Sequence, residues 1–374
     1  MTQKMSNKKW FIGVDLHSTQ FTCCFLDEGN ERFNMEFPVS KEGIEGFLQK
    51  AGKESIVMVE ASTGTFEFVY RIREYLKEVY VANPHKLKLI SMVKKKTDRI
   101  DAEKLAMFLK MQIMSGEELV KPVYVPEKTI KELRSLFTTY RTLTRIIVQV
   151  KNSIHGIYKQ HLINIPRNAL TAKTKRESYL NNFALSASAG IQKDILLNQL
   201  QQTEENLSKI EEQIKIIGSE YYREIDILTS MKGISVIMAL AIIADVADIK
   251  RFPNSKNMTS YLRSAPGVDS SNNVTRIGKT NKFGRKLSIT MLTQSVNHFR
   301  KADTILDNWY KSKSKAKGKG KMRMALLRKK ISQIYHMLNR GEYHYQRDEL
   351  NHNSKMKEYN NFLKRKGIIL EKAA

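Results

Sequence analysis

Residues 10–27 read WFIGVDLHSTQFTCCFLD: an apolar run, a polar turn and a second apolar run. Two buried strands joined by a short turn write themselves this way. A third strand, RFNMEFPV (32–39), follows the turn signal Glu28-Gly29-Asn30. Ser40 to Lys50 has the pattern of a short helix, IVMVE (56–60) of a buried strand, and residues 65–77 of a second helix. VYVAN (79–83) is a further strand stopped by Pro84, and from there to about residue 113 the pattern is helical and strongly basic. Three strands in a meander followed by alternating helices and strands suit an RNase-H-like α/β domain over residues 1–122. The fold class expected for the whole chain is α/β plus α.

Beyond Pro122 and Pro126 the pattern changes. Residues 128–160 keep apolar positions at helical spacing, among them Leu133, Phe137, Ile147, Val150 and Ile154. Such a helix would run roughly 50 Å, too long for one compact core to cover. A second helix is expected over about 190–222, and the two read as an antiparallel coiled-coil arm spanning 123–226, and as a candidate dimer contact. A compact helical domain should follow over 227–345. Within it MKGIS (231–235) resembles half of a helix-hairpin-helix, whose glycine turn offers backbone N–H groups to a phosphate. Residues 264–284 read as a polar, irregular loop. In KSKSKAKGKGKMRMALLRKK (311–330) the first half reads as mobile and the second as helical, and residues 346–374 read as a poorly ordered tail.

Lys and Arg number 64 against 38 Asp and Glu, a formal charge of +26. That excess repels itself unless a polyanion relieves it, and nucleic acid does so by releasing condensed counterions. A membrane surface is a weaker partner, since no long apolar span occurs. Cys23 and Cys24 are adjacent in a strand, so they point to opposite faces and pair poorly. They read as buried thiols of a cytosolic protein. The start MTQKMSNKKW has no apolar stretch of signal-peptide length.

Asp15 ends the apolar run FIGV and Glu60 ends IVMV, where a carboxylate needs a partner or a metal. VKKKTDRIDAEKLA (93–106) adds Asp98 and Asp101, three apart on one helix face. Crowded carboxylates repel, and divalent cations relieve the repulsion. Two Mg²⁺ (or Mn²⁺) roughly 3.5–4 Å apart would activate a nucleophile and stabilise a leaving oxygen at a phosphodiester. Lys94, Lys95, Lys96 and Arg99 suit a site that accepts an anionic backbone. The competing reading of Asp98 and Asp101 is a salt-bridge lattice with Lys94, Lys95 and Lys104.

The succession IGVDLHS (12–18), VMVEAST (57–63), VANP (81–84) and KTDRIDAEKLA (96–106) resembles the DEDD transposases of the insertion sequence 110 family. The resemblance continues through ELRSLFTTYRTLTRIIVQVKNSIH (132–155), LTSMKGISVIMALAIIADVADIKRF (228–252) and MALLRKKISQIYHML (324–338). It implies a RuvC-like N-terminal domain whose Asp15, Glu60, Asp98 and Asp101 hold the metal, and a C-terminal transposase domain with a catalytic serine loop. In SAPGVDSSNNVTRIGKTNKFGRKL (264–287) the register of Ala265-Pro266, Lys282 and Gly284 with that family puts Ser271 on its serine, with Ser270 as the adjacent alternative. Asn272, Asn273 and Asn281 depart from the family pattern, where glycines and a Ser or Thr are usual.

The resemblance implies attack of the serine hydroxyl on a DNA phosphate, giving a phosphoserine and a free 3′-hydroxyl, followed by strand exchange. It also implies dimers pairing into tetramers, donor and target duplex DNA, and a structured noncoding guide (bridge) RNA that supplies sequence specificity. The acidic domain and serine loop would meet across protomers. Nucleic-acid contacts are expected from Arg134, Arg141, Arg145, Lys151, Lys279, Lys282, Arg285, Lys317, Lys319 and Lys321. Three other readings remain: a RuvC-like junction resolvase using metal-activated water, an ATPase of the actin–sugar-kinase fold, and a non-catalytic RNA- or DNA-binding scaffold.

Overall fold

A computed structural model describes residues 8–84, 87, 97–171, 173–271, 274–280 and 282–368. The chain divides into two compact units at Val125/Pro126.

The first unit is built on β1 (Phe11–Leu16), β2 (Gln20–Leu26), β3 (Arg32–Pro38), β4 (Ile56–Glu60) and β5 (Glu78–Ala82), in the sheet order β3-β2-β1-β4-β5. β1, β2 and β3 pair antiparallel as a meander, whereas β4 pairs parallel with both β1 and β5. Parallel neighbours need crossovers; α1 (Lys41–Ala51) and α2 (Thr65–Ile72, extended by a 3₁₀ turn at Arg73–Tyr75) supply them. Strand alternation then sorts the side chains. Ile12, Val14, Leu16, Val57 and Val59 pack against Ile44, Phe47, Phe68 and Ile72 of those two helices. Phe11, Ile56 and Met58 face the other way, toward Ala102, Leu105, Ala106 and Leu109 of α3 (Asp98–Ser115). Cys23 joins the first layer and Cys24 the second, both as free thiols, as strand geometry requires.

Gly13 sits where α3 crosses β1. A Cβ there would lie 2.0 Å from the Ala102 carbonyl oxygen and 2.4 Å from the Ala106 nitrogen. The missing side chain lets the helix backbone rest on the strand, and Leu105 and Leu109, both buried, hold it there at about 1.5–3 kcal/mol each. Lys110, also buried, donates to the carbonyls of Asp27 and Glu28 and to Asn30 Oδ1 at 2.7–2.8 Å, tying α3 to the β2–β3 turn.

The second unit is helical: α4 (Lys128–Gln160), α5 (Lys173–Leu180), α6 (Ala187–Ile217), α7 (Tyr222–Thr229), α8 (Val236–Val246), α9 (Ser255–Tyr261), α10 (Leu287–Gln294), α11 (Val296–Ala302), α12 (Thr304–Lys317), α13 (Lys319–Arg340) and α14 (Glu349–Arg365). α4 and α6 run antiparallel: Lys151 pairs with Glu204 at 3.3 Å, and His161 meets Ser186 beyond them. Their outer parts share a small core of their own (Ile147, Ile154, Tyr158, Leu200) with Leu170 and Leu180. The foot of α4 (Ile130, Leu133, Phe137) belongs instead to the main core around α8, which is buried from Met238 to Val246.

Three expectations are corrected. Residues 264–284 are not an irregular loop, for β6 (Pro266–Ser271) and β7 (Val274–Thr280) form an antiparallel hairpin. Lys311–Lys317, read as mobile, is the end of α12, anchored through Leu306 and Tyr310 in the main core. The stretch 346–374, read as a poorly ordered tail, carries α14, whose Met356, Tyr359 and Leu363 are buried in that same core. No helix among the described residues is long and apolar enough to cross a membrane.

Candidate active site

Strand alternation puts Asp15 and Glu60 on one face of the sheet. Asp15 follows Phe11 and Gly13, and Glu60 follows Ile56 and Met58, on the side that α3 covers. The parallel ladder runs to Val14↔Val59, so both acids stand one residue past it on adjacent strands. The docking of α3 against Gly13 then brings its first turn, with Asp98 and Asp101, to the same end of the sheet. Thr97 starts that helix by accepting from the Ile100 N–H. The carboxylates therefore also sit at the positive end of a helix dipole.

His17 Nε2 lies 3.3 Å from Asp15 Oδ2 and 3.3 Å from Asp98 Oδ1. Ligand-type atoms of Asp15, His17 and Asp98 all fall within 4.8 Å of one another. Burial pushes the Asp15 carboxyl above its ordinary value; His17 opposes this, while Asp98 and Asp101 push it further up. Acids gathered this closely repel one another, and a bound cation would relieve the repulsion. Asp101 is held 3.2 Å from Lys104 Nζ, one part of the salt-bridge lattice considered for this helix. Lys94, Lys95 and Lys96 lie outside the described residues. Glu60 is half-buried, and its carbonyl accepts from Thr65 Oγ1. Sequence reasoning missed His17, although its place two residues after Asp15 was a signal.

In the second unit Ser271 is the last residue of β6, paired with Val274, and Ser270 pairs with Thr275. The base of that hairpin is fixed by a buried carboxylate. Asp245, fully buried at the end of α8, accepts from Arg285 Nε at 2.6 Å and from both the N–H and hydroxyl of Ser288 at 2.8 Å. Gly284 lies so close to Tyr261 that a Cβ would meet its carbonyl oxygen at 2.1 Å, and Arg263 Nε donates to the Gly284 carbonyl. Arg134 donates to the carbonyls of Ala244 and Asp245. Burial, with Arg285 beside it, pulls its guanidinium down to about 10.

Several cations expected at nucleic acid are thus engaged within the protein. Arg134 and Arg285 secure the end of α8, Lys151 pairs with Glu204, and Arg99 is 3.3 Å from Glu103. Arg141, Arg145, Lys282, Lys317, Lys319 and Lys321 are exposed, and the side chain of Lys279 lies outside what is described.

Two family models match the chain. Residues 12–163, which contain the acidic corner, match the DEDD transposase family model of IS110. Residues 225–311, which contain the hairpin and its base, match the model of the transposase IS116/IS110/IS902 family. The chain belongs to the IS110 family of transposases. A curated relative, the transposase for insertion sequence element IS1111A of Coxiella burnetii, is 20% identical over 339 residues, covering 88% of this chain and 90% of its own. Family membership makes this a DNA-recombining enzyme.

Proposed function

We propose that this transposase cuts and rejoins DNA strands with a divalent-metal acidic site and a serine nucleophile, guided by a structured RNA. The observation that carries the reading is the convergence of Asp15 and Asp98, distant in sequence, on His17 at one end of the sheet. The strand order, a meander extended by two parallel strands, supports an RNase-H-like fold for the first unit.

Two carboxylates and an imidazole suit Mg²⁺ or Mn²⁺, and Glu60 and Asp101 stand at the same end of the sheet. Bound there, the metal would polarise a phosphodiester and stabilise a departing oxygen. The acids bind and orient, and Lys104 and Thr97 keep Asp101 and the first turn of α3 in place. Ser271, or its neighbour Ser270, supplies the attacking oxygen. Its bond to phosphorus forms as the bond to the 3′ oxygen breaks; the serine loses its proton, and the departing oxygen gains one to become a 3′-hydroxyl. The energy of the broken ester is kept in the phosphoserine, which a second strand end can attack.

A charge of +26 suits a protein that grips phosphates while base pairing in a guide RNA chooses the sequence. Exposed Val148, Ile191 and Ile195 on α4 and α6 support a coiled-coil arm that pairs copies of the chain into dimers and tetramers.

The test is a covalent protein–DNA adduct assay on the full chain with Mg²⁺, supplied with element-end DNA and the adjoining noncoding RNA. Ser271→Ala should abolish the adduct and retain RNA binding. Adducts in both Ser271→Ala and Ser270→Ala would remove the serine from the mechanism and leave water-driven cleavage of the resolvase type.

A further inference from the structure

α12 and α13 form a helical hairpin that turns at Gly318, whose φ of +81° is the left-handed conformation glycine accepts at no steric cost. The turn has a consequence for charge. Lys311 and Lys315 are four apart on α12, Lys319 and Arg323 four apart on α13, and residues four apart share a helix face. Both pairs line the same cleft of about 710 Å³, together with Arg300 and Asn297 of α11. Among the described residues the acid in contact with these cations is Asp307, already held by Arg300 at 2.6 Å and Lys311 at 2.7 Å. Arg300 also lies over the Tyr310 ring, 4.3 Å from its centre. One guanidinium is therefore fixed in place, while Lys315, Lys319 and Arg323 have no ion-pair partner among the described residues. α13 has no side-chain cap, so its first-turn N–H groups add to the positive field.

We infer that this cleft binds the phosphodiester backbone of a nucleic-acid helix. The inference rests on the reading of the chain as a nucleic-acid enzyme and adds a place to it. Lys313, Lys317 and Lys321 are exposed in the same run but do not line the cleft. Of the lysines expected from sequence to touch nucleic acid here, Lys319 is retained and Lys317 and Lys321 are not. Charge alone does not separate the two sets; the helical hairpin does.

That division supplies the test. Lys315→Gln/Lys319→Gln/Arg323→Gln and Lys313→Gln/Lys317→Gln/Lys321→Gln each remove three positive charges from the full chain. Binding is followed by fluorescence anisotropy across a salt series, with labelled duplex DNA and an RNA duplex of the same sequence. For the duplex that occupies the cleft, the first triple should lower the slope of log K against log salt by about 2–3. It should also weaken binding at least about tenfold near physiological salt, while the second changes the slope by less than about 1. The duplex that suffers the loss identifies the occupant. Equal losses in the two triples would overturn the cleft and leave a diffuse field. A wild-type chain that binds neither duplex would overturn the broader reading as well. Should the first triple fail to fold, Lys315→Gln against Lys313→Gln asks the same question with a slope change of about 1 against 0.

Discussion

Asp245 and Asp15 are both carboxylates at the end of an apolar element, and they have opposite fates. Asp245 is fully buried, yet each of its oxygens has a donor: Arg285 on one, the Ser288 N–H and hydroxyl on the other. Asp15 retains some exposure and has Asp98 and Asp101 near it, with His17 as its partner among the described residues. The first arrangement is closed and neutral, as a buried charge that serves structure must be. The second is open and, among the described residues, gathers several acids around one imidazole. On the proposed reading, the acid that serves function is marked not by burial but by the other acids gathered beside it.

The sharpest way to break the contrast is to neutralise each acid. Asp15→Asn should lower metal-dependent strand cleavage by about 10³-fold or more, a loss typical of removing an electrostatic or acid–base group from an active site. Its stability in urea without metal should stay within about 1 kcal/mol of wild type, because one like-charge repulsion is removed. Asp245→Ala should do the reverse and lower stability by about 3–5 kcal/mol, since Arg285 is left with an unpaired charge. A metal site that tolerates Asp15→Asn, or a second unit that tolerates Asp245→Ala, would collapse the distinction.

Gly13 sharpens the comparison because it acts on the acids without being one. Gly13→Ala pushes a methyl into the Ala102 carbonyl. A cost of about 1–3 kcal/mol in thermal or urea unfolding is expected. Divalent-metal affinity should fall with it, because α3 carries Asp98. Unchanged metal affinity in a folded Gly13→Ala protein would mean that the helix is not what positions that acid.

A smaller effect concerns His344, which is buried in the second unit, where desolvation and Lys330 pull it down to about 4. In the unfolded chain a histidine takes its proton near 6.5. The unfolded state therefore binds the proton first, and stability should rise between about pH 4 and 6.5 and level off above it. The amplitude should be on the order of 1–3 kcal/mol, and His344→Asn should flatten it. A slope of opposite sign would mean that His344 is charged in the folded protein.

Much of this was legible in the chain. The apolar runs placed all five strands of the sheet, and their parity put Asp15 and Glu60 on one face. What the runs did not reveal depended on partners remote in sequence. The β6–β7 hairpin scatters Val268, Val274 and Ile277 among polar residues in VDSS and VTRI, too few at period two to betray strands. The Lys-rich end of α12 looked mobile because charge masked a helix anchored upstream at Leu306 and Tyr310. In α14 the signal was present, since Met356, Tyr359 and Leu363 repeat at helical spacing. Arg134 and Arg285 read as nucleic-acid contacts, although a lone acid in the apolar helix VIMALAIIADV already required a buried cation. His17 escaped notice because its role depends on α3 folding back across Gly13.

The claim at the centre is that the acidic corner binds a divalent cation through Asp15 and Asp98. Mn²⁺ titration of the full chain, followed by the loss of the free-ion electron paramagnetic resonance signal, tests it directly. Wild type should take up Mn²⁺ in competition with Mg²⁺. Asp15→Asn/Asp98→Asn should weaken that uptake by at least about tenfold while melting at or slightly above the metal-free wild-type temperature. Uptake identical in the two proteins would contradict the account.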